Sequence, residues 1–216
     1  MAGTVAIMQP YFLPYAGYFR LFAQADVFVL YEDVQFTRRG WLHRNKLIDR
    51  AGEERWLTLP LAHAPQEVLI RDLAFADNAA AEMPERLRPF DLTGAPAELI
   101  EAVRATHGRP VEYITGLLER CCRLLDLPWS VVTASDLAIP AAVRGQDRIL
   151  ALAKALGATR YINAPGGRDL YDQAAFAAAG VQLQFLTPFE GKGGSILQRL
   201  AEDPPEAVRA EIVGQP

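Results

Sequence analysis

The stretch that decides the fold follows the first apolar run of the chain and reads Met8-Gln9-Pro10-Tyr11-Phe12-Leu13-Pro14-Tyr15-Ala16-Gly17-Tyr18-Phe19. The apolar run Val5–Ile7 predicts a strand, the prolines predict a stiff loop, and the amphipathic segment ending near Ala25 predicts a helix. Open α/β sheets bind their ligands at such strand ends. The candidate ligand-binding residues of this loop are Gln9, Tyr11, Tyr15, Gly17 and Tyr18. The alternative is that the tyrosines only fill the core.

A second polar and aromatic block, residues 31–45, follows the apolar run Val27–Leu30. Asp33 is a candidate base or cation ligand, and arginine side chains can bind a carboxylate or phosphate with two hydrogen bonds. The remaining candidates in this block are Gln35, Arg39, Trp41, Arg44 and Asn45. Both blocks leave the carboxyl ends of neighbouring predicted strands, so we expect them to face one crevice. A solvated basic loop is the alternative interpretation.

These two blocks resemble the WbqC-like family, whose members open with a pattern close to MQPYFxPYxGYFxL followed by DxFVxYDDVQFxKRGWxNRNxI. The resemblance continues through residues 56–61 and 161–169, with Glu32 and His43 replacing the usual Asp and Asn. It weakens over residues 79–109 and after Ser195. It implies a bacterial protein of surface-polysaccharide biosynthesis, for which gene context suggests transfer of glycine to an O-antigen sugar.

The function implied is transfer of an aminoacyl or similar acyl group from an activated donor to a sugar or amine acceptor. On this hypothesis Asp33 is the general base, with Tyr15 or Tyr18 as alternative proton carriers. Arg39 and Arg44 hold the donor's carboxylate or phosphate. The amides of Gln9, Gln35 and Asn45 orient the acceptor or stabilise an oxyanion. A nucleotidyltransferase-like enzyme and a non-catalytic binding protein of the pathway are the alternatives.

Two glycine-rich turns are further candidates for binding an anion. The turn Asn163–Asp169, with Gly166, Gly167, Arg168 and Asp169, precedes a predicted helix, and so does the turn Gly191–Ser195. Backbone N–H groups at a helix start favour anions. Asp169 is equally explained as a helix N-cap, and the second turn as a flexible loop with a cap at Ser195.

A fainter similarity links the chain to the nucleotidyltransferases with HxGH and ISxxxR signatures. Tyr15-Ala16-Gly17-Tyr18 and Gly194-Ser195-Ile196-Leu197-Gln198-Arg199 occupy the corresponding positions. Both histidines of the first signature are tyrosines in this chain. The similarity therefore supports a Rossmann-like architecture and does not support adenylyl transfer.

Composition narrows the class of protein and its partners. The net charge is −4, so the chain lacks the excess of basic residues that is typical of nucleic-acid-binding proteins. No run approaches the roughly 18 apolar residues of a membrane span. The N-terminus lacks a signal-peptide layout, so we expect a cytoplasmic protein. The adjacent Cys121 and Cys122 and three scattered histidines suggest no metal site, and no cofactor is predicted. The expected partner is a small anionic substrate, namely an acyl donor, a sugar nucleotide or a nucleotide, with a carrier protein as a further candidate.

Apolar patterning predicts strands at 4–8, 27–31, 56–60, 130–133, 159–162 and 182–186, and helices near 16–24, 110–125, 145–156, 170–179 and 195–201. Alternation of strands and helices predicts a Rossmann-like, doubly wound α/β fold with a mainly parallel sheet. We expect residues 1–216 to form one domain. The segment 62–110, rich in Pro, Ala and Glu, is interpreted as an inserted cap.

Overall fold

The strands of this protein are three to five residues long, in a computed structural model that describes residues 3–215. The strands are β1 (Thr4–Met8), β2 (Val27–Leu30), β3 (Arg44–Ile48), β4 (Glu54–Thr58), β5 (Val131–Thr133), β6 (Arg160–Asn163) and β7 (Gln182–Phe185). The helices are α1 (Arg20–Gln24), α2 (Ala79–Leu87), α3 (Ala97–Arg104), α4 (Pro110–Leu124), α5 (Gly145–Ala155), α6 (Gln173–Ala178), α7 (Ile196–Glu202) and α8 (Pro205–Val213). Short 3₁₀ segments cover Ala16–Phe19, Ile70–Asp72, Ser135–Leu137 and Pro165–Leu170.

The main sheet has five parallel strands in the order β5-β2-β1-β6-β7. From β1 the chain proceeds outward to β2 and β5, and it then returns to the other side of β1 to form β6 and β7. The direction of winding therefore reverses between β1 and β6. This is the switch point of a doubly wound sheet, and the predicted Rossmann-like α/β fold is confirmed.

Alternate residues of the central strands enter different cores. Ala6, Phe28 and Ile162 belong to a core that includes side chains of α1, α4, α7 and α8. Val5 and Val29 belong to a second core that α5 and α6 cover. Side chains of a strand point alternately to its two faces, so a sheet with helices on both faces needs apolar residues at nearly every strand position.

The segment 62–110 forms a 3₁₀ turn and the helices α2 and α3. Its buried side chains Ile70, Met83, Leu99 and Val103 join the same core as Phe28. The segment therefore contributes to the packing of one sheet face. Its interpretation as an inserted cap stays a prediction.

A separate antiparallel hairpin of β3 and β4 departs from the sequence prediction. The strand predicted at 56–60 lies at Glu54–Thr58, and it pairs with Arg44–Ile48 rather than with the main sheet. The carboxylate of Asp49 closes the turn, since it accepts the backbone N–H groups of Ala51 at 2.8 Å and Glu53 at 3.0 Å. Arg44, predicted on a loop, thus lies on a strand. Among residues 3–215, no helix is long and apolar enough to cross a membrane.

Candidate functional site

An open crevice of about 780 Å³ lies at the switch point of the sheet. One wall comes from the loops that follow β1, β6 and β7, which carry Tyr15, Gly166 and Phe189 respectively. The hairpin β3–β4 supplies the opposite wall, including Lys46. Parallel strands place their following loops at one sheet edge, and the reversal between β1 and β6 leaves a gap there. Its position and volume are those of a small-molecule site.

Among the described residues, four aromatic side chains line the crevice, namely Tyr11, Tyr15, Trp41 and Phe189. Tyr15 is 40% exposed, and its ring meets that of Phe189 edge-on at 5.9 Å between centroids. Trp41 is 46% exposed at the hairpin side. Tyr11 is half-buried, with its ring centroid 5.6 Å from that of Tyr18. Burial raises the pKa of both the Tyr11 and the Tyr15 phenol, so both stay protonated at neutral pH.

Two lysine–glutamate pairs stand at the crevice, one on each side. Lys46 bonds to Glu54 on the hairpin, and Lys192 bonds to Glu202 on α7. The hydrogen bond from Lys192 lowers the pKa of the Glu202 carboxyl and raises that of the Lys192 ammonium. These four are the charged residues among the described lining, so the crevice carries both signs of charge and is formally neutral.

Buried arginines hold the loop after β7 in place. Arg20 is 1% exposed and donates to the carbonyl of Thr187 at 2.7 Å. Arg199 is equally buried and donates to the carbonyl of Lys192 at 2.7 Å and to Glu211 at 2.8 Å. Arg199 corresponds to the arginine of the ISxxxR signature. It therefore supports the crevice wall from the interior of the protein and does not line the crevice.

The loop after β1 is fixed by two residues predicted to bind substrate. Leu13 has a φ of 47°, in the left-handed region that a branched side chain rarely adopts. Its carbonyl accepts the Asn45 amide and, at 2.8 Å, the Ser195 hydroxyl. Ser195 also caps α7 by accepting the N–H of Leu197 at 3.3 Å. Both side chains thus hold a strained backbone in place.

Five of the residues predicted from sequence line the crevice, and these are Tyr11, Tyr15, Trp41, Asn45 and Gly166. The geometry therefore brings together part of the first block, part of the second and one glycine of the later turn. The other predicted residues lie elsewhere.

Tyr18, Gln9 and Gly17 support the first loop from inside. The Tyr18 side chain is buried, and its hydroxyl donates to the carbonyl of Gln9 at 2.8 Å. Burial raises the pKa of this phenol well above its ordinary value. A Cβ atom on Gly17 would overlap the rings of Tyr15 and Phe189. The space next to Gly17, a candidate ligand-binding residue, is thus occupied by these two side chains.

Asp33 forms a buried ion pair with Arg148, with only 6% and 8% of the two side chains exposed. Arg148 also donates to the carbonyls of Ile139, Pro140 and Val143, at 3.3, 3.0 and 3.3 Å. Asp33 does not line the crevice. The carboxylate predicted to be the base therefore joins the end of β2 to α5.

The amide and guanidinium groups of the second block bond largely within the protein. Arg44 donates to the carbonyl of Arg39 at 2.9 Å, and its guanidinium lies 4.1 Å from the ring centre of Trp56. Arg39 itself is exposed and lies outside the crevice. The Gln35 amide donates to the carbonyl of Gln66 at 2.9 Å. Neither arginine reaches the crevice lining.

The four residues predicted to bind an anion in the turn after β6 lie in different environments. Gly167 is buried where a Cβ atom would overlap the Asn163 amide. Arg168 lies 5.2 Å from the ring centre of Phe185, and Asp169 is exposed. The helix that follows is capped by Asp172, which accepts the N–H of Ala174 at 2.9 Å, so the N-cap alternative for Asp169 is wrong.

Sequence reasoning missed four charged residues and one ring of the crevice, namely Lys46, Glu54, Lys192, Glu202 and Phe189. Lys192 lies in the turn Gly191–Ser195, which the sequence indicated as a candidate for binding an anion. Lys46 and Glu54 form a diagonal ion pair across a hairpin that the sequence had not predicted, since Lys46 lies opposite Trp56 and Glu54 lies opposite Ile48. Within residues 3–215, no group of three or more His, Cys, Asp or Glu side chains converges in a way that could hold a metal ion.

Comparison with known proteins places the chain in a family. The model of the WbqC-like protein family matches residues 9–191, which include the loops after β1, β2 and β6. The uncharacterized protein Rv1507c of Mycobacterium tuberculosis is 27% identical over 201 residues, which cover 84% of this chain and 81% of that protein. No solved structure matches the chain. Because the family model spans most of the chain, this protein belongs to the WbqC-like protein family.

Proposed function

We propose that the protein is a transferase that moves an aminoacyl or similar acyl group from an activated donor to a sugar or amine acceptor, and that the switch-point crevice binds the donor. The observation that carries the proposal is the combination of aromatic walls with a lysine–glutamate pair on each side of the crevice. An aminoacyl donor carries an ammonium group, an anionic or polar leaving group and commonly a ring. Each has a complementary partner in this lining.

The exposed ion pairs suit ligand exchange. Surface ion pairs contribute only about 0–1 kcal/mol, so a ligand can replace one partner at little cost. A ligand anion would take the place of Glu202 beside Lys192, and a ligand ammonium that of Lys46 beside Glu54. Trp41 and Tyr15 offer aromatic faces for a ring or a cation.

We place the proton acceptor of this reaction in the crevice, at Glu202, rather than at Asp33. The Asp33 carboxylate bonds to Arg148 in a buried position, away from the crevice lining. Glu202 lies in the crevice lining, and once a ligand anion replaces it beside Lys192 its carboxylate is free to accept a proton from an attacking hydroxyl or amine. Tyr15, which stays protonated, would donate a hydrogen bond to the developing oxyanion.

Ligand binding is tested first, by thermal shift with an aminoacyl-sulfamoyl adenosine, a uridine diphosphate sugar and an acyl-coenzyme A. At a ligand concentration of 100 times Kd the native state gains about 2.7 kcal/mol, which raises Tm by about 5–11 °C in a chain of this size. Calorimetry then compares wild type with Tyr11→Ala and Lys192→Ala, which should bind at least about tenfold more weakly. Lys154→Ala, on α5 outside the crevice, is the matched control.

Transfer is tested by mass spectrometry of sugar and amine acceptors, with the acyl-coenzyme A itself if it binds, or with the reactive aminoacyl adenylate if its non-transferable sulfamoyl analogue binds. Glu202→Gln should lower the rate by about 10²–10⁴-fold, as expected for a lost proton acceptor, and donor affinity should not fall, because the neutral amide competes less than a carboxylate with a ligand anion for Lys192. Glu206→Gln, an exposed carboxylate of α8 outside the crevice, should leave the rate unchanged. Binding that survives Tyr11→Ala and Lys192→Ala would contradict the crevice assignment. Binding without transfer would make the protein a non-catalytic pathway component.

A further inference from the structure

A second pocket, of about 430 Å³, lies between β4 and the segment 62–110. It is at the end of the hairpin where β4 finishes, away from the hairpin residues that line the crevice. None of its lining residues lines the crevice. Its floor and walls combine apolar side chains such as Leu59 and Leu73 with Arg38, Arg86 and His43. The volume falls within the range of small-molecule sites, about 300–1,000 Å³.

The pocket differs from the crevice in its charge. Arg38 comes from the loop after β2 and Arg86 from α2, and Glu82 is the carboxylate among the described lining residues. Glu82 pairs with Arg86 at 3.1 Å. Arg38, Arg86 and Glu82 together give the lining a net charge of +1.

Both guanidinium groups retain donors for a ligand. Arg38 gives one N–H to the carbonyl of Ala64. Arg86 donates to the carbonyl of Thr58 at 2.7 Å and to Glu82. A guanidinium has five N–H donors, so most of those on Arg38 and several on Arg86 are still available. The carbonyl contacts also hold each guanidinium at the pocket, which lowers the entropy lost when a ligand binds.

His43 adds a polar group with an unmet hydrogen bond. Its ring packs edge-on against Phe36 at 5.1 Å, and its Nδ1 is buried with no hydrogen-bond partner among residues 3–215. Burial, reinforced by the nearby Arg44, lowers the pKa of His43 to about 4, so the imidazole is neutral at pH 7. A neutral imidazole carries one N–H donor and one acceptor, and a buried nitrogen without a partner costs free energy that a ligand can recover.

We propose that this pocket is a second binding site, separate from the crevice, which takes a small molecule bearing a phosphate or carboxylate group. Arg38 and Arg86 bind the oxyanion from two sides, and His43 hydrogen-bonds to a neighbouring polar atom of the ligand. Leu59 and Leu73 contact its apolar part. A planar carboxylate and a tetrahedral phosphate each present a pair of oxygens that a guanidinium group can bind with two hydrogen bonds.

The test titrates wild-type protein with inorganic phosphate and, separately, with succinate, and follows the His43 imidazole resonances by NMR. The resonances should shift and saturate with at least one of the two anions. Tighter binding of phosphate assigns the site to phosphate esters, and tighter binding of succinate assigns it to carboxylates. No saturable shift with either anion would overturn the proposal.

Variants locate the site. Arg38 is exposed, so Arg38→Ala should fold, and it should weaken binding by at least about tenfold because a charge-assisted hydrogen bond is lost. Arg38→Lys should recover only part of the affinity. Arg88→Ala, at the C-cap of α2 and outside the pocket, and Lys192→Ala, in the crevice, should bind within about twofold of wild type. Unchanged affinity in Arg38→Ala, or loss of binding in Lys192→Ala, would overturn the proposal.

Discussion

Replacing Arg148 with methionine should destabilise the protein far more than the loss of an ordinary ion pair. Its partner Asp33 has a side chain that is 6% exposed, and the Asp33 Oδ1 atom has no hydrogen-bond partner among the described residues. In Arg148→Met this carboxylate would be left buried and unpaired. Breaking a buried pair in this way costs about 3–5 kcal/mol. Three backbone carbonyls would lose their donor as well, which favours the upper end.

The measurement is urea and thermal unfolding followed by circular dichroism. A loss of about 3–5 kcal/mol corresponds to a Tm lower by about 6–20 °C for a chain of this length. Arg123→Met is the matched control, because Arg123 pairs with Glu98 on the surface, with 58% and 49% of the two side chains exposed. That replacement should change the free energy of unfolding by less than about 1 kcal/mol.

A double variant separates the charge effect from packing. Asp33→Asn combined with Arg148→Met removes the unpaired carboxylate, so it should be more stable than Arg148→Met alone, with a coupling of about 0.5–3 kcal/mol. An Arg148→Met protein as stable as the Arg123→Met control would refute the reasoning. Donor binding and the transfer rate are also measured in Asp33→Asn. If Asp33 has only a structural role, this variant should bind the donor with normal affinity and show an undiminished rate per folded molecule.

Three further predictions concern single residues. Gly17→Ala should cost about 1–3 kcal/mol and weaken crevice binding, because the new methyl group displaces the Tyr15 and Phe189 side chains. Gly116→Ala, in open space within α4, should stabilise the protein by about 0.5–1 kcal/mol, and urea unfolding measures both changes. His43 is protonated near pH 6.5 when unfolded but only near pH 4 when folded, so stability falls as the pH drops from about 6.5 to 4, and His43→Asn should show a shallower decline in urea titrations over that window. Ser195→Ala should lower stability by about 1–2 kcal/mol through the lost α7 cap and the freed Leu13 carbonyl, with donor affinity measured by calorimetry changing far less than in Lys192→Ala.

Local patterning sufficed to predict the strands of the main sheet. The runs at residues 4–8 and 27–30 are apolar at nearly every position, which a strand between two helical layers requires. The long helix α4 was equally predictable, since Pro110 starts it and its buried residues recur at helical spacing. In both cases the signal lies within one short segment.

The hairpin was not predictable in the same way. Strand β3 reads Arg-Asn-Lys-Leu-Ile, and two of its five residues are buried. Its stability comes from pairing with β4 and from the contact of Asn45 with the loop after β1, which is 32 or 33 residues away along the chain. A basic, half-exposed strand has no distinctive periodicity, so the segment resembles a loop until its partners are known.

For the candidate site, the sequence by itself determined that the loop after β1 is rigid, aromatic and placed at the carboxyl edge of a parallel sheet, because prolines and apolar runs act locally. It also determined membership of the family through those same residues. Only the tertiary structure decided which polar groups face the crevice. Asp33 and Arg44 are used in internal contacts, while Lys192 and Glu54 reach the crevice from a late turn and from the hairpin. The physical reason is that a side chain's role depends on the partner that satisfies its charge, and Arg148 lies 115 residues from Asp33 along the chain.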